Sequence, residues 1–423
     1  MVQQDRQVYL DLLARCEQAF RPFAPINLPD FFQGRKTQID LLTAELAMAG
    51  RQVAIYGERG TGKTSLALLA GYFAGYDQEE VRIVRCERES SYVTIFGQLL
   101  AQSGVAYLPN GVETEATGGG GIGIGSTSVS GRKSSRTRQT AIESLRTVGP
   151  GLLLKHFGGL KGLLIIDEYD RVQDDGTHSR LAETLKHFSD ADSQTKILVV
   201  GVAATLSDLI GEHQSITRCL AQIKLDRMKP EELEKIIVAG EKRVGVHFED
   251  AVCRRIVALS DGFPFFTHLF CRYCVEDAGK TLLANPSVRA IVREAEFRRA
   301  LRRAIESGEA SLREDYQAAV ITVRRKTEMF KRVLWATAYS DGQEVQVQEI
   351  SQNIALLTGD KPKVESLSSY LGALTKPGKG QVLLRVRQGY YKFANPLMRA
   401  YVRLVLEDHN LVEKDGQLRF PWM

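Results

Sequence analysis

The feature that most constrains the fold of this 423-residue chain is a glycine-rich stretch, Gly57-Glu58-Arg59-Gly60-Thr61-Gly62-Lys63-Thr64. It follows an apolar run that ends at Tyr56 and precedes a helix-forming run that begins at Ser65. A strand, a glycine loop and a helix in this order form a phosphate-binding loop, because backbone N–H groups and the positive end of the helix then face the same anion. The sequence therefore predicts an α/β fold, a P-loop αβα sandwich with a parallel sheet.

Two side chains of this loop have predicted roles in binding ATP with Mg²⁺. Lys63 is expected to reach the β- and γ-phosphates, and the hydroxyl of Thr64 is expected to bind the Mg²⁺ ion. Lys63 is therefore counted among the catalytic residues as well as the cofactor-binding ones. The other members of the predicted nucleotide site here are Gly57, Glu58, Arg59, Gly60, Thr61, Gly62 and Ser65.

A second motif, Leu163-Leu164-Ile165-Ile166-Asp167-Glu168, supports the first. Its apolar residues predict a strand buried on both faces of a parallel sheet, so that the two acids lie at the carboxyl edge, where such sheets bind ligands. Asp167 is expected to hold Mg²⁺, and Glu168 to orient or deprotonate the attacking water. Taken alone, the pattern also fits a strand that ends in a solvated acidic turn.

The remaining patterns divide the chain into three parts. Further strands near 81–86, 196–202 and 222–225 alternate with helices, which is typical of a parallel sheet with both faces covered. Towards the C-terminus, three helices precede a hairpin around Gly389, which describes a winged helix. The predicted domains are a P-loop ATPase domain at 1–228 with a glycine-rich insertion at 106–140, a helical lid with arginine-rich linker helices at 229–325, and a winged-helix domain at 326–423.

The glycine-rich insertion has two open interpretations. Residues 117–126 are mostly glycine, and residues 128–138 add four basic residues and no acid. Glycine at this density cannot hold a helix, so the segment is either a disordered insertion or a basic loop that touches a partner or nucleic acid. A dinucleotide-binding interpretation is rejected, because no strand precedes these glycines and no helix follows closely.

Composition and charge narrow the class of protein. A hydrophobic content of 43% and a charged content of 25% are typical of a soluble globular protein. No apolar run approaches the ~18 residues of a membrane helix, and the polar N-terminus does not read as a secretory signal, so we expect a cytoplasmic protein that does not contact membranes. The net charge of +5 is uneven, because residues 286–423 hold 23 basic and 16 acidic residues. The excess of basic residues in this region suggests an acidic partner. The ordinary alternative is that these residues lie on solvated helix faces.

The six cysteines predict no metal site. Only Cys271 and Cys274 are closely spaced, and neither a second pair nor suitably spaced histidines accompany them. Buried free thiols are the expected state.

With these motifs in view, residues 25–405 resemble the P-loop ATPases of the AAA+ initiator-type and STAND-type group, whose STAND members act as switches in signal transduction. Phe32-Gln33-Gly34-Arg35 is similar to the group's box before the phosphate loop, which implies adenine contacts for Gly34 and Arg35. Arg218 is similar to an arginine finger that reaches a neighbouring subunit's nucleotide, although a plain surface arginine remains open. Gly262-Phe263-Pro264 resembles the group's Gly-x-Pro motif.

Two departures from the group's pattern favour a slow switch. At the end of the fourth-strand motif, initiators usually carry an asparagine, and here only Thr205 could serve. Where the lid helix of the group usually carries an arginine, this chain has Pro264. The resemblance thus implies an ATPase whose hydrolysis is slow or depends on an activator.

Three functions are consistent with the sequence. The leading hypothesis is a switch ATPase that binds ATP, forms a homo-oligomer and controls assembly or a partner protein. The alternative is an ATP-regulated DNA-binding protein, in which residues 364–375 of the winged helix enter a major groove. Its phosphate contacts would come from Lys376, Lys379, Arg385, Arg387 and Lys392. A scaffold with a residual nucleotide site is the third, and the complete pair of motifs argues against it.

Overall fold

A five-stranded parallel sheet forms the centre of the part of the chain that carries both motifs. In the computed structural model, the described residues are 2–104, 148–203, 205–206, 209, 216, 218–284, 290–307, 310–321, 324–340 and 342–409. The predicted glycine-rich insertion lies outside these residues.

The chain divides into two compact units. The first, which we call the sheet unit, comprises Lys36–Gly57 and Lys63–Leu225. The second, which we call the helical unit, comprises Met1–Arg35, Glu58–Gly62 and Asp226–Met423. The helical unit is therefore assembled from three separate pieces of sequence. The domain boundaries predicted from the sequence stay predictions.

The sheet unit contains five parallel strands in the order β2-β3-β4-β1-β5. The strands are β1 Gln52–Gly57, β2 Val81–Arg85, β3 Gly162–Asp167, β4 Thr195–Val202 and β5 Leu220–Lys224. Every residue of β1 and β3 is buried, as expected for central strands covered on both faces. The predicted α/β fold with a parallel sheet is confirmed. Because β4 lies between β1 and β3, the carboxyl ends of the three strands are neighbours.

Helices connect the strands of the sheet unit, and short polar caps begin several of them. Ser91 accepts a hydrogen bond from the backbone N–H of Thr94, and Asp174 accepts one from that of Thr177 at 2.8 Å, so each satisfies a donor that the first helical turn leaves unpaired. Numbered after the N-terminal helix α1, Val2–Ala19, the helices of this unit are α2 Lys36–Ala47, α3 Lys63–Phe73, α4 Tyr92–Ala101, α5 Pro150–Phe157 and α6 Asp175–Asp190.

Helices dominate the helical unit. The N-terminal helix α1, Val2–Ala19, contributes Leu12 and Cys16 to one apolar core, and Phe20 follows it as a fully buried ring. The two-residue strands β6 His247–Phe248 and β7 Ile291–Val292 pair in parallel. The first helices after the sheet are α7 Pro230–Val244, α8 Asp250–Ser260, α9 Pro264–Ala284, α10 Glu294–Ser307 and α11 Ala310–Val320.

The arginine-rich helix α10 is held by ion pairs within the helical unit. Asp277 of α9, whose side chain is 2% exposed, accepts from Arg299 at 3.3 Å and from Arg303 at 3.5 Å. Arg298 pairs with Glu294 at 2.7 Å. The two pairs with Asp277 link α10 to α9, whereas the pair between Arg298 and Glu294 lies within α10.

The C-terminal part of the helical unit combines helices with a small antiparallel sheet in the order β8-β10-β9. The predicted hairpin around Gly389 is present as β9 Leu383–Arg387 and β10 Tyr390–Phe393, and β8 is Val345–Gln346. The helices are α12 Arg324–Tyr339, α13 Val347–Thr358, α14 Val364–Leu374 and α15 Pro396–Asp408. The winged helix stays a prediction.

Two further findings concern the whole described chain. All six cysteines are free; Cys253 is partly exposed and the others are buried, in line with the expected free thiols. Burial raises the pKa of the Cys16 thiol to about 12, which keeps it protonated and unreactive. Among the described residues, no helix is both long enough and apolar enough to cross a bilayer.

Candidate nucleotide-binding site

The sheet unit brings the predicted metal-binding side chains together. Lys63 and Thr64 are the first residues of α3, which begins directly after the glycine loop. The hydroxyl of Thr64 lies 3.4 Å from Oδ1 of Asp167, the last residue of β3. A hydroxyl and a carboxylate from two motifs that are about a hundred residues apart in sequence therefore meet at the carboxyl edge of the sheet.

Asp167 is a buried carboxylate with few donors. It is 3% exposed, and its Oδ1 accepts the backbone N–H of Glu168 at 2.9 Å. Burial raises the pKa of Asp167, and the hydrogen bonds from Glu168 and Thr64 only partly oppose this. A buried carboxylate of this kind is stabilised in its charged form by a nearby cation.

The donor set fits Mg²⁺. This ion prefers oxygen ligands, keeps several waters and is usually held by one or two carboxylates together with substrate phosphates. Thr64 and Asp167 supply such oxygens, and phosphates would supply others. No group of three or more His, Cys, Asp or Glu residues that could hold a metal occurs among the described residues.

Glu168 lies next to this pair but its side chain is engaged elsewhere. Its backbone is left-handed, with φ 56°, and caps the short 3₁₀ turn Tyr169–Arg171. Its carboxylate lies 3.0 Å from Nε of Arg171, and its side chain is 39% exposed. The predicted catalytic carboxylate is thus paired with a guanidinium from the same turn.

The end of β4 is fixed by an acid that the sequence did not single out. Oδ1 of Asp170 accepts the backbone N–H of Val202, the last residue of β4, at 2.7 Å. Thr205 follows a few residues later and is exposed. Asp170 comes three residues after Asp167, so its proximity to the motif was the available signal.

Arg218 is exposed and lies two residues before the edge strand β5. Its carbonyl accepts a hydrogen bond from Arg51 at 2.6 Å, which fixes the backbone at the start of that strand. Its predicted role toward a neighbouring subunit stays a prediction, as do the roles of the other site residues.

The outer segment of the glycine loop, Glu58–Gly62, belongs to the helical unit. The hydroxyl of Thr61 donates to the carbonyl of Glu58 at 2.9 Å and closes a tight turn. Gly60 has φ 83°, and a Cβ built on it would lie 2.9 Å from Cδ2 of Leu397 and 3.5 Å from Cδ1 of Phe263. The close packing and the left-handed backbone both require glycine here.

An arginine that follows the sheet holds the loop from one side. Nε of Arg227 donates to the carboxylate of Glu58 at 2.8 Å, and its Nη1 donates to Asp261 at 2.7 Å. The same guanidinium lies over the ring of Phe263, 4.4 Å from its centroid. Asp261 also accepts from Arg403 at 3.0 Å. A chain of ion pairs therefore runs from the glycine loop to α15.

Side chains from the motifs that precede and follow the sheet in sequence lie against the backbone of the same loop. Arg35 is 3% exposed and donates to the carbonyls of Thr61 and Asp226. Pro264 begins α9, and its Cγ lies 4.0 Å from a Cβ built on Gly62. Sequence patterns indicated Arg35 and Pro264, but they gave no sign of Arg227, which has no motif of its own.

Comparisons with known proteins identify a family. The family model described as nSTAND1, Novel STAND NTPase 1, matches residues 18–325, well over half of the chain. A comparison with curated proteins finds no match.

Several solved structures are similar to the chain. The Holliday junction branch migration motor RuvB of Thermotoga maritima is 15% identical, with 90% of this chain and 97% of that chain covered and a TM-score of 0.42. Cdc6p of Pyrobaculum aerophilum is 14% identical, with 93% and 98% covered and a TM-score of 0.42. The Orc1 protein of Aeropyrum pernix, in complex with DNA, is 17% identical, with 93% and 98% covered and a TM-score of 0.43.

Proposed function

The chain belongs to the novel STAND NTPase 1 family, and from that premise we propose that it is a switch ATPase that hydrolyses ATP slowly and controls assembly or a partner protein. The observation that carries the proposal is the pairing of Thr64 with the buried Asp167 at 3.4 Å, at the carboxyl edge of a parallel sheet. Open α/β sheets bind their ligands at this edge.

Binding would depend on the loop and the start of α3. Backbone N–H groups of the loop and the positive end of α3 face the phosphates, and Lys63 adds a full charge. Lys63 is only 7% exposed, so its charge acts in a medium that screens it less than water does. Thr64 and Asp167 would hold Mg²⁺, which when bound neutralises charge on the β- and γ-phosphate oxygens.

Slow hydrolysis is supported by the position of Glu168. To act as the base, its carboxylate must accept a proton from a water that is in line with the γ-phosphate. In the structure, this carboxylate pairs with Arg171 at 3.0 Å, so one oxygen is already occupied. Opening of the pair would free this oxygen to take up the proton, so the ion pair is a restraint on turnover.

Assembly would complete the site. We propose that the exposed Arg218 supplies positive charge to the nucleotide of a neighbouring copy, and that Thr205, after β4, contacts the γ-phosphate. An arginine supplied in trans can raise the hydrolysis rate by roughly 10³ or more, because it stabilises charge that develops only in the transition state. The output would be a change in assembly state that an effector protein reads.

The test is a measurement of ATPase rate and solution mass against protein concentration, with ATP and Mg²⁺. A specific rate that rises with concentration, together with a larger ATP-bound species, is expected. Lys63→Ala should lose ATP binding and turnover. A wild-type protein that binds no ATP, or whose rate per molecule is the same at every concentration, would contradict the proposal.

A second candidate function is ATP-regulated DNA binding through the C-terminal hairpin. The favouring observation is that Arg385, Arg387 and Lys392 are all exposed on β9 and β10. Phosphate contacts of this kind predict binding that weakens steeply with salt. A duplex DNA titration at low salt tests it, and a flat titration would remove this candidate.

A further inference from the structure

Arg35 makes two buried contacts with backbone carbonyls inside the helical unit. Its Nη2 donates to the carbonyl of Thr61 at 2.9 Å and to the carbonyl of Asp226 at 2.7 Å. Thr61 lies in the glycine loop, and Asp226 directly follows the last described residues of the sheet unit. One nitrogen thus joins the loop to the chain segment that leaves the sheet.

The contact with Thr61 fixes the direction of the next amide. In a planar trans peptide, the carbonyl of one residue and the N–H of the following residue point in opposite directions. A guanidinium that holds the carbonyl of Thr61 on one side therefore turns the N–H of Gly62 to the other side. Inward-facing N–H groups are what a phosphate-binding loop uses to contact phosphate oxygens.

We propose that Arg35 is a positioning residue for the phosphate tail of the nucleotide, and that it acts through the carbonyl of Thr61 without contributing to recognition of the base. This proposal rests on the nucleotide-binding function proposed above. It gives Arg35 a role different from the adenine contact that the family resemblance implies.

Gly34 explains how the guanidinium reaches this place. Its φ is 81°, and a Cβ built on it would lie 2.3 Å from Cε of Met228 and 2.7 Å from the carbonyl of Glu232. Only glycine permits this close approach of the chain to α7. Gly34 and Arg35 therefore act together. The glycine allows the backbone to pack against α7, and the arginine side chain then reaches the loop.

The charge of Arg35 is compensated locally. Burial lowers the pKa of Arg35, and the carboxylates of Glu232 and Asp226 partly oppose this effect. An arginine guanidinium stays protonated in proteins even when it is buried. A charged donor makes stronger hydrogen bonds to carbonyls than a neutral one, which suits a residue that must hold a loop in one conformation.

The experiment compares ATP with tripolyphosphate, a ligand that has the phosphates but no base. Binding of both to the full chain is measured by calorimetry with Mg²⁺, for the wild type, Arg35→Met and Arg35→Lys. GTP is titrated as well, to give the base preference. The matched control is Arg180→Met, because Arg180 is a half-buried arginine that also donates to a backbone carbonyl, that of Val148.

The expected result is that the affinities for ATP and for tripolyphosphate fall by the same factor. Losing a hydrogen bond from a charged donor should weaken ATP and tripolyphosphate about tenfold or more in Arg35→Met, with the ratio of ATP to GTP affinity unchanged. Arg35→Lys can donate to one of the two carbonyls and should lose less affinity. If Arg35→Met does not fold, Arg35→Lys takes its place in the comparison. Arg180→Met should bind both ligands as the wild type does.

Two results would overturn the role of Arg35 and leave the proposed function intact. One is weaker ATP binding with unchanged tripolyphosphate binding, or a changed base preference, which would place Arg35 at the base. The other is unchanged binding of both ligands by a folded variant. If the wild type itself binds neither ligand, the proposed function fails and the role of Arg35 fails with it.

Discussion

Arg227 Nε lies 2.8 Å from the carboxylate of Glu58, so an arginine that follows the sheet is paired with an acid of the glycine loop. Its side chain is 17% exposed and that of Glu58 is 34% exposed, and Asp261 accepts from the same guanidinium. An uncompensated carboxylate in a phosphate-binding loop would repel the ligand. The pairing therefore lets the loop contain a glutamate and still accept an anion.

Replacing Arg227 should weaken both the fold and ATP binding. Arg227→Met leaves Glu58 without this partner, and we expect the free energy of unfolding to fall by about 1–3 kcal/mol. ATP affinity should fall severalfold, because the glutamate now repels phosphate. Urea unfolding and calorimetry measure the two effects. The double variant with Glu58→Gln should recover ATP affinity, and a double variant as weak as Arg227→Met would contradict this explanation.

Releasing the carboxylate of Glu168 from its ion pair should raise turnover. Arg171→Ala removes the guanidinium that lies 3.0 Å from the Glu168 carboxylate. Pairs this exposed are worth at most about 1 kcal/mol, which corresponds to a rise in kcat of roughly fivefold or less. Steady-state ATPase rates measure it. Arg171→Lys keeps a cation and should leave kcat near the wild-type value, and a lower kcat in Arg171→Ala would refute the restraint.

Replacing Arg218 should separate ATP binding from ATP hydrolysis. If it acts in trans, Arg218→Ala should bind ATP with wild-type affinity and lose nearly all turnover, because the missing charge matters in the transition state. Mixing Arg218→Ala with Lys63→Ala should restore part of the activity, since each variant supplies what the other lacks. The control is Arg88→Ala, another exposed arginine. Unchanged turnover in Arg218→Ala would remove this role.

The buried Asp167 should make the nucleotide-free protein less stable as pH rises. Its pKa is raised in the folded state by burial, so the folded protein holds a proton that the unfolded chain, with a pKa of about 3.9, has already released. The contribution of Asp167 to stability should therefore decline from pH ~4 up through the raised pKa. Urea unfolding in EDTA at several pH values measures this, and Asp167→Asn should flatten the decline. Equal slopes in the two proteins would contradict it.

His268 should have the opposite effect on acid stability. It is 5% exposed in α9, and burial lowers its pKa to about 4. The unfolded chain takes up a proton below about pH 6.5 and the folded protein does not, so stability is lost as pH falls from 6.5 to 4, by at most about 3 kcal/mol.

His268→Phe should remove this loss, as measured by the difference in unfolding free energy between wild type and variant across pH 4–7. The control His187→Gln changes an exposed histidine and should keep the wild-type profile. A constant difference between wild type and His268→Phe at all pH values would show that His268 does not titrate in this way.

Local sequence patterns were sufficient to predict the buried strands of the sheet and the glycine loop between β1 and α3. A buried strand needs a continuous apolar run, and a phosphate loop needs glycine at fixed positions. The strand predicted at 163–168, for example, is observed at Gly162–Asp167. Two-residue strands are too short to carry a pattern. Strand β8, for example, comprises only Val345 and Gln346, and the next helix begins directly after it at Val347.

Side-chain partners far apart in sequence could not be predicted in the same way. The contact between Gly60 and Leu397 and the ion pair between Arg227 and Asp261 depend on how the helices of one unit pack. No period or spacing reports such a contact. Asp261 directly precedes the Gly-x-Pro motif, and nothing in the sequence indicated its arginine partners.

Because the helical unit is assembled from three separate pieces of sequence, it cannot complete its fold until the later pieces have been synthesised. Helix α1 shares its core with α9, which begins at Pro264, so α1 must wait for residues that are made some 250 positions later. At roughly 5–20 residues per second, a ribosome needs about 12–50 seconds to make that stretch. During this time the emerging N-terminal helix has an exposed apolar face. The phosphate loop gains its contact with Leu397 later still, because that residue is synthesised well after Pro264.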